Sequence, residues 1–394
     1  MPSPGKAAAL TDYQADLQRI QSDLAELDEK TAFAEPIQSE TATRYVYRLY
    51  ALCSLNGDLI GLRAVEQSID RAIQHLGPAE DLCLLKANLD FKLHRLAETK
   101  RDLALAPALA SRRPARVILA DVAFQEGHYA EARQALEALA SEDSTWDVLA
   151  RLAHIEGKMG SAAKADDLYV KAQDEITAKE MRSFAWIELQ RGLLALARGR
   201  VRETLEHYQC ADRAYSGYWL TAEHIAGLRG SPYHYERVLA EVNKPEVAQK
   251  LGEIYAKNGY QAQAQPLLAQ ALEQYLESAQ RGEVHYYHHL TEFFADVVPN
   301  PQEAVRWARK DIELRDNFNT QTALAWALHR AGQSSAALPY IKRAVESGVN
   351  DAALLNKAAL IFEAAGDWEA ALECEHRVVH LNPHHAATAH AHSH

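Results

Sequence analysis

The sequence predicts an all-α solenoid of about ten helical hairpins, and two observations lead to this prediction. A pattern of small residues returns roughly every 34 residues, which is the spacing of stacked two-helix repeats. Alanine and leucine are abundant across the 394 residues, and no stretch alternates polar and apolar residues with the period of a β-strand. A solenoid accommodates this length because each repeat contacts only its neighbours.

Each clear copy of the pattern has a large–small pair in its first helix, a glycine at the turn and alanine in its second helix. The pairs and turn glycines of the three clear copies are Leu251–Gly252 with Gly259, Leu324–Ala325 with Gly332, and Ala358–Ala359 with Gly366. Weaker copies extend toward the N-terminus through Gly57, Gly127, Gly160, Gly199 and Gly230. Closely crossing helices need Gly or Ala at the contact, and the turns favour glycine because it adopts left-handed backbone.

Three units depart from the pattern. The unit near His94 fits it loosely, and the unit over residues 218–242 is short. In residues 283–314 the sequence Pro299-Asn300-Pro301 replaces the glycine turn. We therefore expect ten hairpins of unequal regularity.

This pattern resembles the tetratricopeptide repeat (TPR) across almost the entire chain. The resemblance implies a right-handed superhelical solenoid whose first helices line a concave face. The segments 219–224 and 322–328 are similar to a group of bacterial TPR proteins of largely unassigned role, which implies a bacterial origin but names no ligand. The lysine and asparagine pattern that clamps a chaperone's C-terminal carboxylate is not reproduced.

We divide the chain into an N-terminal tail and capping helix over 1–40, the solenoid over 41–383 and a disordered histidine-rich tail over 384–394. The N-terminal segment carries one apolar helical stripe, formed by Tyr13, Leu17, Ile20, Leu24 and Leu27. A helix that caps the first repeat is the expected role. The alternative is a homodimeric coiled coil, although only about two heptads are present.

Composition excludes several classes of function. A net charge of −12 and a pI near 5.8 argue against nucleic-acid binding, which needs a basic face. No apolar run is long enough for a membrane helix, and the first residues lack the apolar core of a signal peptide. We expect a cytoplasmic protein, or a periplasmic or secreted one if a leader has been removed.

No catalytic signature is present. The sequence has no GxSxG, HExxH, GxxxxGK[ST] or GxGxxG motif, so we expect a protein that is not an enzyme. Its four cysteines are far apart and form no CxxC pair, so buried free thiols are expected at Cys53, Cys83, Cys210 and Cys374.

The TPR resemblance also assigns inward-pointing positions on each first helix. If the small residue of the large–small pair is position eight, then positions five, nine and twelve point into the groove. Position nine carries Asp121, His154 and Leu193 in the first half of the chain. In the second half these positions collect polar groups beside an aromatic residue, as a binding site requires. The implied partner-binding groove is lined by His224, Gln249, Glu253, His289, Asp296, Thr322, Trp326, His329 and Asn356.

Histidine is unusually frequent, with 18 in the chain, and it offers a second interpretation. His285 and His289 are four positions apart and share a helix face, which is a common half-site for a metal. Flexible histidine-rich tails also bind zinc, copper or nickel, and no other cofactor is expected. The candidate metal ligands are His224, Glu253, His285 and His289.

Two functional hypotheses follow. The first is a non-enzymatic scaffold that binds an extended peptide or protein segment in its concave groove, and the negative charge of the chain favours a partner that is not acidic. In this hypothesis Trp326 supplies an apolar platform and Glu253 and Asp296 supply charge. The alternative is a metal-binding or metal-handling accessory protein that uses the groove histidines, the C-terminal tail or both.

Overall fold

The computed structural model describes residues 10–35 and 37–385, and within them the chain is all-α, without a strand. A 3-10 turn covers Pro107–Ser111 and a π-helical turn covers Phe293–Val297. The helices are α1 (Asp12–Glu26), α2 (Glu29–Ala32), α3 (Ser39–Asn56), α4 (Leu62–Leu76), α5 (Glu80–Lys92), α6 (Leu96–Ala104), α7 (Arg113–Gln125), α8 (Tyr129–Glu142), α9 (Trp146–Met159), α10 (Ala162–Asp174), α11 (Met181–Leu196), α12 (Val201–Ala214), α13 (Trp219–Arg229), α14 (Pro232–Glu241), α15 (Pro245–Lys257), α16 (Gln261–Gln280), α17 (Tyr287–Glu292), α18 (Pro301–Leu314), α19 (Phe318–Arg330), α20 (Ser334–Glu346), α21 (Ala352–Ala364) and α22 (Trp368–Leu381).

Ten antiparallel hairpins run in order along the described residues, from α3–α4 to α21–α22, which confirms the predicted solenoid. The odd-numbered helix is the first helix of each hairpin and the even-numbered helix is the second. The short unit is also confirmed, because α13 and α14 span only 11 and 10 residues. In the unit without a glycine turn, the π-helical turn extends α17, and Pro301 then starts α18 after its Asn300 cap.

The hairpin of α19 and α20 illustrates how the sequence specifies each unit. Asn317 caps α19, because its side chain accepts hydrogen bonds from main-chain amides of the first turn. Ala325 on α19 and Ala337 and Ala344 on α20 are fully buried, so the two helices can approach closely. The small-residue pattern is therefore a pattern of helix–helix contacts.

The turns inside the hairpins confirm most of the predicted glycines and contain two exceptions. Gly127, for example, has φ +83°, in the left-handed region that glycine adopts most easily. Gly160 has φ −132°, so the expected left-handed turn is absent there. In the loosely fitting unit, His94 takes the left-handed position itself with φ +62°. A histidine in this conformation is uncommon, which explains why the sequence pattern missed the turn.

The ten hairpins form two superhelical turns of five hairpins each, and these turns lie edge to edge. We call α3–α12 the first turn and α13–α22 the second turn. The amide of the Asn317 side chain donates a hydrogen bond of 2.8 Å to the carbonyl oxygen of Gln125, 192 residues earlier. The main-chain amide of Asn350 donates one of 2.7 Å to the carbonyl oxygen of Lys158. Loops within the hairpins of the first turn thus contact loops between the hairpins of the second.

Helix α1 packs along the same edge and uses its apolar stripe within the chain. Tyr13 and Ile20 are buried in the core that surrounds Tyr218. The hydroxyl group of Tyr215 donates a hydrogen bond of 2.7 Å to Asp16. Four of the five stripe residues, Tyr13, Leu17, Ile20 and Leu24, therefore pack against the solenoid within the chain.

Three further predictions concern membrane helices, the cysteines and the histidine-rich tail. No helix in residues 10–35 and 37–385 combines the length and the apolar character needed to cross a membrane. The four cysteines are free thiols, with Cys53, Cys83 and Cys374 buried and Cys210 half-buried. Of the predicted histidine-rich tail, only His384 and His385 are described, and residues 386–394 lie outside the described part of the chain.

Candidate functional site

The first helices of the second turn bring several predicted groove residues side by side. The indole Nε1 of Trp326 on α19 donates to both carboxylate oxygens of Asp296, each at 3.0 Å, across to the preceding hairpin. Lys357 on α21 places its ammonium group 5.3 Å from the centre of the indole ring. His329 stacks on the same indole, with 5.1 Å between ring centres. Side chains of three successive first helices therefore meet around Trp326.

The indole ring of Trp326 has contacts within the protein that bear on its predicted role as a platform. An open apolar platform would need a free ring face, but the stacked His329 and the cation Lys357 already contact the indole. Arg330 also lies 3.7 Å from the carboxylate of Asp296. Within the protein, the indole N–H of Trp326 thus holds the carboxylate of Asp296.

Other predicted groove residues use their polar atoms within the protein. Gln249 is buried, donates to Glu253 at 2.7 Å and accepts from the hydroxyl group of Tyr275 at 2.9 Å. The hydroxyl group of buried Thr322 donates to the main-chain carbonyl of Phe318 on its own helix. These residues support the wall, whereas Asn356 is half-buried on α21.

A row of three carboxyl groups, which the sequence analysis did not include, lines the same wall. We define the acidic row as Glu223, Glu246 and Glu292, one on each of α13, α15 and α17. Among the described residues, no lysine or arginine nitrogen lies within 4.0 Å of these carboxyl oxygens. Burial raises the pKa of each group, and nearby lysines oppose the shift. One oxygen of Glu246, Oε2, is buried with no hydrogen-bond partner among them.

The carboxyl groups of the acidic row were missed because none of them occupies position five, nine or twelve of its unit. Glu223 precedes His224, which occupies the predicted position nine. His224 instead packs against Tyr208, with 5.3 Å between ring centres, and burial lowers its pKa to about 4. A shift of one residue on a helix changes the direction of a side chain by about 100°.

Four histidines, His94, His285, His288 and His289, cluster where the two superhelical turns meet. The rings of His94 and His285 stack in parallel, with 5.2 Å between their centres. The ring centres of His288 and His289 are 4.0 Å apart. Burial lowers the pKa of His285 to about 4 and that of His289 to about 3, and it lowers those of His94 and His288 well below the usual value. The cluster is therefore neutral at pH 7.

The predicted metal ligands are not gathered around one point. Within residues 10–35 and 37–385, no group of three or more His, Cys, Asp or Glu side chains is arranged to hold a metal ion. His289 stacks on Tyr275 with 7° between the ring planes, and His285 stacks on His94 with 5°. This correction applies to the candidate set His224, Glu253, His285 and His289.

The first turn contains an open cavity, which we call the chamber, that the predicted groove did not include. The cavity measures about 520 Å³ and is lined mainly by the first helices α3, α5, α7, α9 and α11. Phe91, Phe124, Trp186 and Tyr218 form its aromatic walls, beside the exposed guanidinium of Arg182. Phe91 and Phe124 occupy position twelve of their units. These two positions were the signal in the sequence that could have identified the chamber.

The polar part of this chamber follows the predicted inward positions. Asp121 and His154, both at position nine, line the cavity. Asp121 receives a hydrogen bond of 2.8 Å from Arg151 on the next first helix. Burial raises the pKa of Asp121, and Arg151 opposes that shift. The positional rule thus identifies the inner wall of the first turn.

A family model matches part of the chain. The model described as the TT21 fifth ARM repeats domain matches residues 113–218, which contain the three hairpins from α7 to α12. No curated protein matches the chain.

Several solved structures are similar to the chain at low sequence identity. The APC/C hetero-tetramer Cut9–Hcn1 has 15% identity and a TM-score of 0.42, covering 94% of this chain and 80% of that one. The human IFIT1 dimer with m7Gppp-AAAA has 15% identity and a TM-score of 0.38, with coverages of 93% and 77%. Naa15/Naa10 bound to HypK-THB has 14% identity and a TM-score of 0.28, with coverages of 92% and 68%. At this level of similarity these structures indicate nothing about a ligand.

The structural basis for classification is the run of ten hairpins with small residues at their helix contacts, together with the matched repeat domain. The chain is therefore a TPR-like helical repeat protein.

Proposed function

We propose that this chain is a non-enzymatic scaffold that binds a segment of another protein along the inner wall of its second turn. The acidic row carries the proposal. Glu223 and Glu246 are half-buried and have no lysine or arginine close by, so their charged forms are less stable, and a lysine or arginine side chain of a partner would relieve that cost. The partner segment is therefore basic.

The charged residues around the acidic row also favour a basic partner. Asp296, held by Trp326, lies near Glu292 and adds negative charge on the same side. The nearest opposing cations are Lys250 and Lys357, which lower the pKa of Glu292 only partly. A partner would approach the row of carboxyl groups and contact the accessible parts of Glu292 and Asp296 first.

The test begins with the selection of short random peptides on the immobilised protein. Selected peptides should contain lysine or arginine, and their affinities are then measured by fluorescence anisotropy. Glu292→Gln should weaken binding about tenfold, or roughly 1.4 kcal/mol, because it removes one charge-assisted contact. Glu131→Gln on α8 is the matched control, because its side chain is exposed to solvent.

Two results would overturn the proposal. One is the selection of peptides without basic residues, and the other is equal loss of affinity in Glu292→Gln and Glu131→Gln. Retained helical circular dichroism in both variants separates loss of binding from loss of fold.

A further inference from the structure

The chamber of the first turn has the size and the lining of a small-molecule site. Its volume of about 520 Å³ lies within the range of pockets that hold organic ligands, about 300–1,000 Å³. Phe91, Phe124 and Trp146 are half-buried on its walls, and Trp186 is 37% exposed there. Partly open aromatic rings that line one cavity offer faces and edges to a planar apolar group. The chamber therefore suits a ligand that carries an aromatic ring.

Two cations at the chamber have no carboxylate partner. Among the described residues, no carboxyl oxygen lies within 4.0 Å of the side-chain nitrogens of Lys92 or Arg182. The ammonium group of Lys92 donates to the hydroxyl group of Ser54 at 3.3 Å, and Ser54 and Arg182 both line the chamber. Burial lowers the pKa of Lys92, and Lys244 and Arg182 lower it further. A desolvated ammonium group without a counter-charge is costly, and a bound anion would offset that cost.

The carboxylates that line the chamber lie beside a different cation. The guanidinium of Arg151 is 2.8 Å from a carboxylate oxygen of Asp121 and 3.5 Å from one of Asp147. These three residues are on α7 and α9, whereas Lys92 and Arg182 are on α5 and α11. The negative group of a ligand would therefore be directed away from α7 and α9 and toward α5 and α11.

One further carboxylate, Asp16 on α1, is close enough to Arg182 for the guanidinium to lower its pKa. Asp16 has nearer partners of its own. It accepts a hydrogen bond of 2.8 Å from Arg19 and one of 2.7 Å from the hydroxyl group of Tyr215. Arg182, which is exposed, thus keeps its guanidinium available to a ligand.

We propose that the chamber binds a small aromatic anion, with its ring between the aromatic walls and its anionic group against Arg182, next to Lys92. Neither cation occupies position five, nine or twelve of its unit, so the TPR resemblance does not assign them to a binding groove. The site also differs from the acidic row, which lies in the second turn and attracts the opposite charge. The two proposals can therefore be tested independently.

Isothermal titration calorimetry of the full chain tests the proposal with naphthalene-2-carboxylate and with naphthalene-2-carboxamide, its neutral analogue of similar shape. The wild type should bind the carboxylate about tenfold more tightly, because only the carboxylate makes charge-assisted contacts. Arg182→Gln should weaken binding of the carboxylate about tenfold and leave the affinity for the carboxamide unchanged. Arg202→Gln on α12, whose side chain is 94% exposed, is the matched control and should behave like the wild type.

A second variant tests the aromatic wall separately from the charge. Trp186→Ala should weaken both naphthalene ligands by a similar factor, because it removes ring contact that does not depend on the anionic group. Trp186 is partly exposed, so the fold should be retained, and circular dichroism checks this. Arg182→Gln should also leave the affinity for a selected basic peptide unchanged, since that peptide contacts the second turn.

The proposal is overturned by any one of three results. The first is no binding of naphthalene-2-carboxylate by the wild type at millimolar concentration. The second is equal affinity of the wild type for the carboxylate and the carboxamide. The third is an Arg182→Gln variant that binds the carboxylate as tightly as Arg202→Gln does.

Discussion

The indole Nε1 of Trp219 donates a hydrogen bond of 2.9 Å to the main-chain carbonyl oxygen of Leu55, 164 residues earlier in the chain. Trp219 begins α13 at the start of the second turn, and Leu55 lies near the end of α3 in the first turn. Lys244 lies over the same indole, with its ammonium group 4.4 Å from the ring centre. This buried tryptophan therefore joins the two superhelical turns.

Trp219→Phe should destabilise the protein by about 1–3 kcal/mol, because it leaves the buried carbonyl of Leu55 without its donor. The measurement is the free energy of unfolding in urea. Trp186→Phe provides the control: Trp186 is 37% exposed, and this variant should change stability by less than about 0.5 kcal/mol. Equal losses of unfolding free energy in the two variants would mean that the hydrogen bond between the turns does not stabilise the protein.

Gly127→Ala should destabilise more than Gly332→Ala, although both glycines have left-handed backbone at φ +83° and +73°. Both variants share the conformational cost of alanine there, about 1–2 kcal/mol. Only at Gly127 would the new Cβ lie 2.6 Å from a main-chain oxygen, that of Asp316, whereas nothing lies within 4 Å at Gly332. The additional loss, about 1–3 kcal/mol, measures the contact between the two turns.

Thermal unfolding monitored by circular dichroism gives the comparison directly. Equal shifts in Tm for Gly127→Ala and Gly332→Ala would contradict the edge-to-edge stacking of the turns at this position.

Stability should fall as the pH falls from about 6.5 toward 4, because the histidine cluster stays neutral in the folded protein. The unfolded chain binds protons at the ordinary histidine pKa near 6.5, so it gains protons that the folded state does not. Each histidine contributes a slope of up to about 1.4 kcal/mol per pH unit in that window. Arg315, which faces His94, and the nearby Lys92 and Lys244 oppose protonation further.

The acidic row acts in the opposite direction, because raised carboxyl pKa values stabilise the folded state as the pH falls. The histidine contribution is therefore isolated with His285→Phe, which keeps an aromatic ring against His94 but does not titrate. This variant should lose less stability between pH 7 and pH 5 than the wild type. The exposed His128→Phe is the control, and a slope that is the same in His285→Phe and the wild type would contradict the assignment.

Ile20→Ala should cost about 2–4 kcal/mol of stability, because Ile20 is buried between α1 and the core around Tyr218. It should leave the oligomeric state unchanged, since the stripe of α1 packs within the chain. Ile60→Ala, at a side chain that is 65% exposed, should have little effect on stability. A change in mass on sedimentation with Ile20→Ala would instead favour the coiled-coil alternative.

The sequence predicted the hairpins because their contacts are local and repeat with a fixed spacing. Ala325 and Ala337 mark helix crossings within one unit, so their spacing alone identifies the unit. The stacking of the two turns was not predictable in this way. Asn317 and its partner Gln125 are 192 residues apart. A hydrogen bond to a main-chain carbonyl does not require a particular residue type at the acceptor position, so it leaves no pattern in the sequence.

The site was predicted in part for the same reason. The inward positions correctly identified Asp121 and His154 on the chamber wall, because these positions depend on helix geometry. The acidic row was missed because Glu223 and Glu246 lie outside the positions that were counted. Desolvation of a carboxyl group depends on neighbouring hairpins and is not encoded in any single repeat.

The most direct test of the proposed function is the affinity of one selected basic peptide for the wild type, for Glu246→Gln/Glu292→Gln and for the control Glu131→Gln. We predict a loss of about a hundredfold in the double variant, roughly 2.7 kcal/mol, and none in the control. Binding by the wild type should also weaken on acidification at a higher pH than for ordinary glutamates, because burial raises the pKa of both groups. Equal affinity in all three proteins would contradict the assignment of this wall as the binding surface.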